Sequence, residues 1–234
     1  MKCFDLHVSP AFSEGRSSPE QIIERARLLG FSGICLVDGI KNYKPHREIK
    51  SSFDTKKFGI FIGFEATKAS DLDRLVGKRR EFDILIVKGG DLKINRRAVE
   101  TPEVDILSIP EYERIDSGFN HIMAKLAKTN QVALEINFRE ALNSHKSTRS
   151  HIMQKMALNM MLAKKFRVPV ITTSGAFSHL QLKDPYILSS FGVLLGLTPE
   201  ESRAAISKTP EDIITVSKEK QAEEWIMLGV KVVK

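Results

Sequence analysis

The chain has 234 residues, 42% hydrophobic and 28% charged, a globular balance that excludes disordered and fibrous classes and can bury a sizeable core. No apolar run approaches the roughly 20 residues that span a bilayer, and the start Met1-Lys2-Cys3-Phe4-Asp5 lacks the apolar stretch of a secretion signal, so a cytoplasmic location and no membrane are expected. The 36 Lys and Arg exceed the 29 Asp and Glu by +7, which favours a polyanionic partner.

Short β-branched runs alternate with helical patterns. Cys3 to His7 reads as the first strand. Ser18-Pro19-Glu20 supplies an N-cap, a first-turn proline and an acid ahead of Ile22, Ile23, Ala26 and Leu29 at helical spacing, and Gly30 suits a left-handed C-terminal cap. Further strands are expected at Gly33 to Val37, Phe58 to Phe64, Phe82 to Val87, Asp105 to Ser108, Val132 to Ile136, Val170 to Thr173 and Ile213 to Val216. Helical patterns cover Asp71 to Arg79, Asn120 to Lys128, Ser147 to Phe166, Pro185 to Leu195, Pro199 to Ser207 and Glu219 to Leu228. Met153, Met156 and Met160 form a stripe that suits core packing. Cys3 and Cys35 lie in apolar runs, as reduced core thiols do, and no CxxC zinc pattern is present.

Nearly continuous apolar strands between amphipathic helices predict a parallel sheet covered on both faces. About eight such units imply an α/β, TIM-barrel-like (β/α) barrel forming one domain, residues 1–234, with a doubly wound open sheet as the alternative. No Gly-x-Gly-x-x-Gly or Walker loop follows a strand. The functional rim of a barrel is the C-terminal end of its strands, where His7, Asp38, Glu65, Glu135 and His179 are expected to gather. Such acids and histidines suit a hydrolytic metal site.

The start resembles the polymerase-and-histidinol-phosphatase superfamily of metal-dependent phosphoesterases, but its His-x-His motif reads His7-Val8-Ser9 here, and Ile109 stands where a ligand would follow the fifth strand. The preferred reading is therefore that His7, Asp38 and Glu65 are buried polar residues satisfying one another. A more specific resemblance follows from Val104-Asp105-Ile106-Leu107-Ser108, then Gly118-Phe119-Asn120-His121, then Glu135-Ile136-Asn137-Phe138-Arg139-Glu140, then Thr172-Thr173-Ser174-Gly175-Ala176, in that order. With Phe4-Asp5-Leu6-His7-Val8 and Thr209-Pro210-Glu211-Asp212 these segments resemble archaeal ribonuclease P protein component 3 over nearly the whole chain. Ile109 and Phe177 depart from the family, where histidine is common.

The resemblance implies a barrel related to the metallo-phosphoesterases with a decayed metal site, in a non-catalytic subunit of the particle that removes the 5′ leader from precursor tRNA. It implies that the RNA subunit carries catalysis and its magnesium, that this chain holds no cofactor, metal or catalytic residue, and that ribonuclease P RNA, precursor tRNA, protein component 2 and other protein subunits are partners. Phosphate neutralisation needs Lys and Arg on one face. The candidates are Lys88, Lys93, Arg96 and Arg97 after a Gly89-Gly90 turn that lets RNA approach, then Arg114, His121, Lys125, Asn137, Arg139 and Lys183. Lys78-Arg79-Arg80 and Lys164-Lys165 with Arg167 read as helix-end and solubility features. Two alternatives stay open: a stand-alone metal-dependent phosphoesterase using His7, Asp38, Glu65 and His179, and a barrel enzyme holding an anionic small molecule at Thr173-Ser174-Gly175-Ala176.

Overall fold

The computed structural model describes residues 1–39, 58–222, 225–227 and 230–231. Strand β1 (Phe4–Val8) leads to α1 (Pro19–Leu28), whose Ser18 cap forms the expected capping box with Gln21, and Gly30 follows at φ 85°. Then come β2 (Gly33–Gly39), β3 (Gly59–Ala66), α2 (Ala69–Val76), a 3-10 turn (Arg79–Glu81), β4 (Ile84–Lys88) and α3 (Leu92–Glu100). They are followed by β5 (Ile106–Ser108), α4 (His121–Asn130), β6 (Ala133–Asn137), α5 (Phe138–Asn143), α6 (Lys146–Phe166) and β7 (Val170–Thr173). Helices α7 (Pro185–Leu194), α8 (Pro199–Ile206) and α9 (Lys208–Gln221) lead to an antiparallel pair, β8 (Trp225–Met227) with β9 (Val230–Lys231).

Strands β1 to β7 pair in sequence order, all parallel. The ring closes where Val8 bridges Ala176 and the Ser9 amide donates to the Ala176 carbonyl at 2.9 Å. Because side chains alternate along a strand, one face of the ring is apolar. Phe4 and Leu6, Cys35 and Val37, Ile84 and Ile86, with Ile106, Ala133 and Ile171, form one buried cluster. The opposite faces pack with the surrounding helices into a second cluster, which contains Met156 and Met160. Each such large side chain removed from water contributes roughly 1.5–3 kcal/mol.

The fold is the expected barrel with seven strands in the ring. Ile213 to Val216, read as a strand, lies inside α9. Its β-branched run hides a helical stripe, since Pro210, Ile213, Ile214, Ser217 and Lys220 are the buried residues of that helix. Ile213 and Ile214 complete the apolar cluster inside the ring. The helix expected from Glu219 is also corrected: α9 ends at Gln221 and Trp225–Met227 is a strand, while Leu228 lies outside the described residues. Two helices went unforeseen, α3 and α5, each capped by a side chain of the residue before it, Asp91 and Asn137.

A buried ion cluster fixes α9. Asp105 accepts from Arg79 Nη2 at 2.6 Å and the Leu85 amide at 2.8 Å on one oxygen, and from Lys220 Nζ at 2.7 Å on the other. Arg79, read as a surface cation, is instead buried, and it also donates to the carbonyls of Glu103, Phe82 and Asp83. Burial pushes the Lys220 ammonium below its usual pKa, and the Asp105 charge opposes that shift. Removing the anion strands two buried cations, so Asp105→Asn is expected to cost about 3–5 kcal/mol. Urea unfolding measures this against Lys208→Ala, which breaks the exposed Lys208–Asp212 pair and should stay within about 0.5 kcal/mol of the parent. Equal effects of the two variants would refute a structural role for the cluster.

Candidate functional site

The inner faces of the strands turn polar toward their C-terminal ends. Continuing the alternation past the apolar cluster brings Glu65, Lys88, Ser108, Glu135 and Thr173 to the mouth. The register of β1 against β2 shifts between Asp5 and Val8, and such an irregularity re-aims a side chain. His7 thereby reaches Glu135, Nδ1 to Oε1 at 2.9 Å, while its Nε2 lies 3.7 Å from Glu65 Oε1. The Thr173 hydroxyl donates to the same Glu135 oxygen, and Asn137 Nδ2 donates to it at 3.3 Å.

This arrangement sets the charges. Burial alone would lower the His7 pKa, but the charge and hydrogen bond of Glu135, with Glu65 behind, raise it above its usual value. Burial likewise pushes Glu135 up, and His7 more than reverses that, so its carboxyl is held low. Burial raises Glu65 despite His7 and Lys88 nearby. His7, Asp38, Glu65, Lys88 and Arg139 line a cavity of about 60 Å³. Of the five expected rim residues, His179 is elsewhere: its Nδ1 is 2.8 Å from the Ser17 hydroxyl. Both nitrogens of His7 face glutamates of its own chain, and among the described residues no three His, Cys, Asp or Glu side chains are grouped to hold a metal ion.

The ten expected RNA-binding residues fall into separate groups. Lys93, Arg96 and Arg97 are exposed on α3, and His121 and Lys125 are exposed on the adjoining α4. Arg96 pairs with Glu100 at 2.7 Å and Arg97 reaches across to Asp73 on α2, whereas Lys93 and Lys125 make no ion pair among the described residues. Lys88 is half-buried with its ammonium 4.6 Å from the Tyr112 ring centroid. Lys183 is half-buried before α7. Arg139 is buried against the Phe177 ring at 4.1 Å. Asn137 is fully buried, accepting from the Arg139 amide at 3.1 Å, and presents no surface.

Arg114 proves to be a clamp: it donates to the Gly90 carbonyl at 2.9 Å and pairs with Asp116 at 2.5 Å. The Gly89-Gly90 turn serves this internal contact. A Cβ on Gly89 would lie 2.6 Å from the Pro110 Cα, and Gly90 has φ 122° beside Tyr112. Segment 109–118 is also held by Asn95, which donates to the Pro110 and Gly118 carbonyls at 3.0 and 2.8 Å. From α6, Asn159 donates to the Ser117 carbonyl at 2.9 Å and to Glu111 at 3.1 Å. Glu111 was missed in the sequence. Burial drives its carboxyl up to about 8, and a lone glutamate in a loop carries no periodic signal.

Fold and mouth together define a parallel α/β barrel of TIM-barrel type whose His7 is bonded to Glu135 inside the mouth, with basic helices outside. The chain belongs to the RNase P subunit p30 family, whose family model matches residues 2–222. It is 34% identical to ribonuclease P protein component 3 of Methanosarcina mazei, over 98% of this chain and 94% of that protein. It is 39% identical to the protein of that name from Methanococcus maripaludis strain C5, over 92% and 94%. A chain in the cryo-EM structure of archaeal ribonuclease P with mature tRNA matches with a TM-score of 0.81 at 29% identity, over 98% of each.

The buried carboxyls make stability depend on pH. Glu111 rises from 4.5 to about 8 and Asp5, buried beside Ser174, from 3.8 to about 6. The folded state therefore binds protons that the unfolded chain releases, and stability falls as pH rises from about 4 toward about 8. Glu111→Gln removes its share. Between pH 6 and 8 the parent should lose up to about 1.4 kcal/mol per pH unit more than this variant. Urea unfolding across that range checks it, and parallel curves would refute the assignment.

Proposed function

We propose that this chain is a protein subunit of ribonuclease P that helps its RNA remove the 5′ leader from precursor tRNA without performing the cleavage. The observation that carries this is the end-to-end match to a chain of archaeal ribonuclease P with mature tRNA. The sequence at the mouth supports the non-catalytic part, since the His-x-His pattern of the phosphoesterases reads His7-Val8-Ser9 here and Ile109, which cannot ligate a metal, follows β5. The magnesium and the chemistry then belong to the RNA, other protein subunits including component 2 complete the particle, and the assembly works in the cytoplasm.

The RNA-facing surface is the basic exterior of α3 and α4 with the half-buried Lys88 toward the mouth, while Arg114, Arg139 and Lys183 stand apart from it. Lys93 and Lys125 are its strongest phosphate contacts, because with no carboxylate partner among the described residues they give up no ion pair on meeting phosphate. Arg96 and Arg97 must first leave Glu100 and Asp73.

Omitting the chain from a reconstituted particle is expected to slow cleavage and raise its magnesium requirement, and the isolated chain is expected to leave precursor tRNA intact. Cleavage by the chain alone, abolished by His7→Ala, would favour the phosphoesterase reading instead. Lys93→Ala with Lys125→Ala should weaken RNA affinity and reduce the slope of log K against log salt by up to about two phosphate contacts. An unchanged slope would move the RNA surface off these helices.

A further inference from the structure

A cavity of about 320 Å³ opens beside the mouth, between segment 109–118 and helix α6. Its lining includes Ile109, Tyr112 and Ile152, with Glu111 buried in its wall and Glu140 and Lys155 at its edge. That volume lies at the small end of ligand pockets, which run roughly 300–1,000 Å³. We propose that it receives one unstacked base of the RNA, with the Glu111 carboxyl pairing along the base edge. The proposal rests on the RNA-subunit reading above and names the group that enters.

Four observations favour a base. Ile109, Tyr112 and Ile152 supply apolar and aromatic wall against which a flat heterocycle can lie, among the polar residues Thr148 and His151. Glu111 is 5% exposed and takes one side-chain hydrogen bond, from Asn159 Nδ2 to Oε2. Held mostly protonated at neutral pH by burial, its carboxyl offers an O–H donor beside an acceptor, and base edges present the complement. Ile109, a β-branched residue, is held at φ 38° in this wall, a backbone state that costs on the order of 1–3 kcal/mol and clusters at binding sites.

The competing occupants fit less well. A phosphate would meet Glu113 and Glu140 in the lining. A lysine or arginine from a partner protein would be drawn by those two glutamates but would meet Lys155 in the same lining. A purely apolar side chain would leave Glu113, Glu140 and Lys155 of the lining without a polar partner.

Saturation-transfer NMR on the full chain with adenosine, guanosine, cytidine and uridine 5′-monophosphates tests the pocket directly. At least one nucleotide should receive saturation mainly at its base protons. Ile152→Trp, which fills the cavity, should abolish the signal, and Glu111→Gln should weaken it about tenfold, with thermal melts confirming that both variants fold. In parallel, both variants should bind ribonuclease P RNA about tenfold more weakly with the salt slope unchanged, because no phosphate contact is removed. Signals confined to ribose, or indifferent to both substitutions, overturn the pocket assignment while parent RNA binding leaves the subunit reading intact. Failure of the parent chain to bind the RNA or stimulate the particle overturns the subunit reading itself. If Ile152→Trp blocks association with the other protein subunits and spares RNA affinity, the cavity belongs to a protein partner and the proposal falls.

Discussion

The Asp105 carboxylate, held between Arg79 and Lys220 at the base of the barrel, is the contact on which the architecture turns. All three side chains are nearly inaccessible to water, and isolated charges there would cost several kcal/mol each. The site is stable because each polar atom is matched. Every nitrogen of the Arg79 guanidinium donates, Lys220 Nζ finds three acceptors, and both Asp105 oxygens accept. These bonds join the turn before β4, the approach to β5 and the last turns of α9. They hold Ile213 and Ile214 in the apolar cluster inside the ring. Without them that cluster would lose the residues that complete it.

From that base the barrel runs from apolar to charged along its axis. The charges at the mouth largely answer one another, with His7 between Glu135 and Glu65. On the outside, many of the cations are paired locally, as Arg96 is with Glu100 and Arg203 with Glu200. What remains available to a polyanion is set by which cations lack such partners, a property of geometry and not of composition. A single charge count cannot locate a binding surface for this reason.

The seven ring strands were legible because each is an apolar run flanked by turn residues, and α1 because Ser18, Pro19 and Gln21 form a complete start signal. Part of helix α9 reads as an eighth strand by composition, since Ile213-Ile214-Thr215-Val216 is β-branched throughout. Two earlier cues pointed to a helix, Pro210 and Glu211 in the first turn and the spacing of Ser217 and Lys220 behind the isoleucines. At the site, the meeting of His7, Glu65 and Glu135 followed from their places at strand ends. The burial of Arg79 and Asn137 did not, because a basic triplet reads the same whichever member turns inward, and an asparagine after a strand can serve as cap or contact. Register and capping settle such cases, and both depend on neighbours distant in sequence.

Segment 109–118 links these two levels. Asn95, Arg114 and Asn159 pin its backbone from three directions, more restraint than a connection between a strand and a helix requires. Within it, keeping Glu111 protonated at pH 7, given a carboxyl raised from 4.5 to about 8, opposes folding by on the order of 3 kcal/mol. A glutamine of the same shape would fold without that penalty. The carboxyl stands in the wall of the pocket beside the mouth, where the proposed base would meet it.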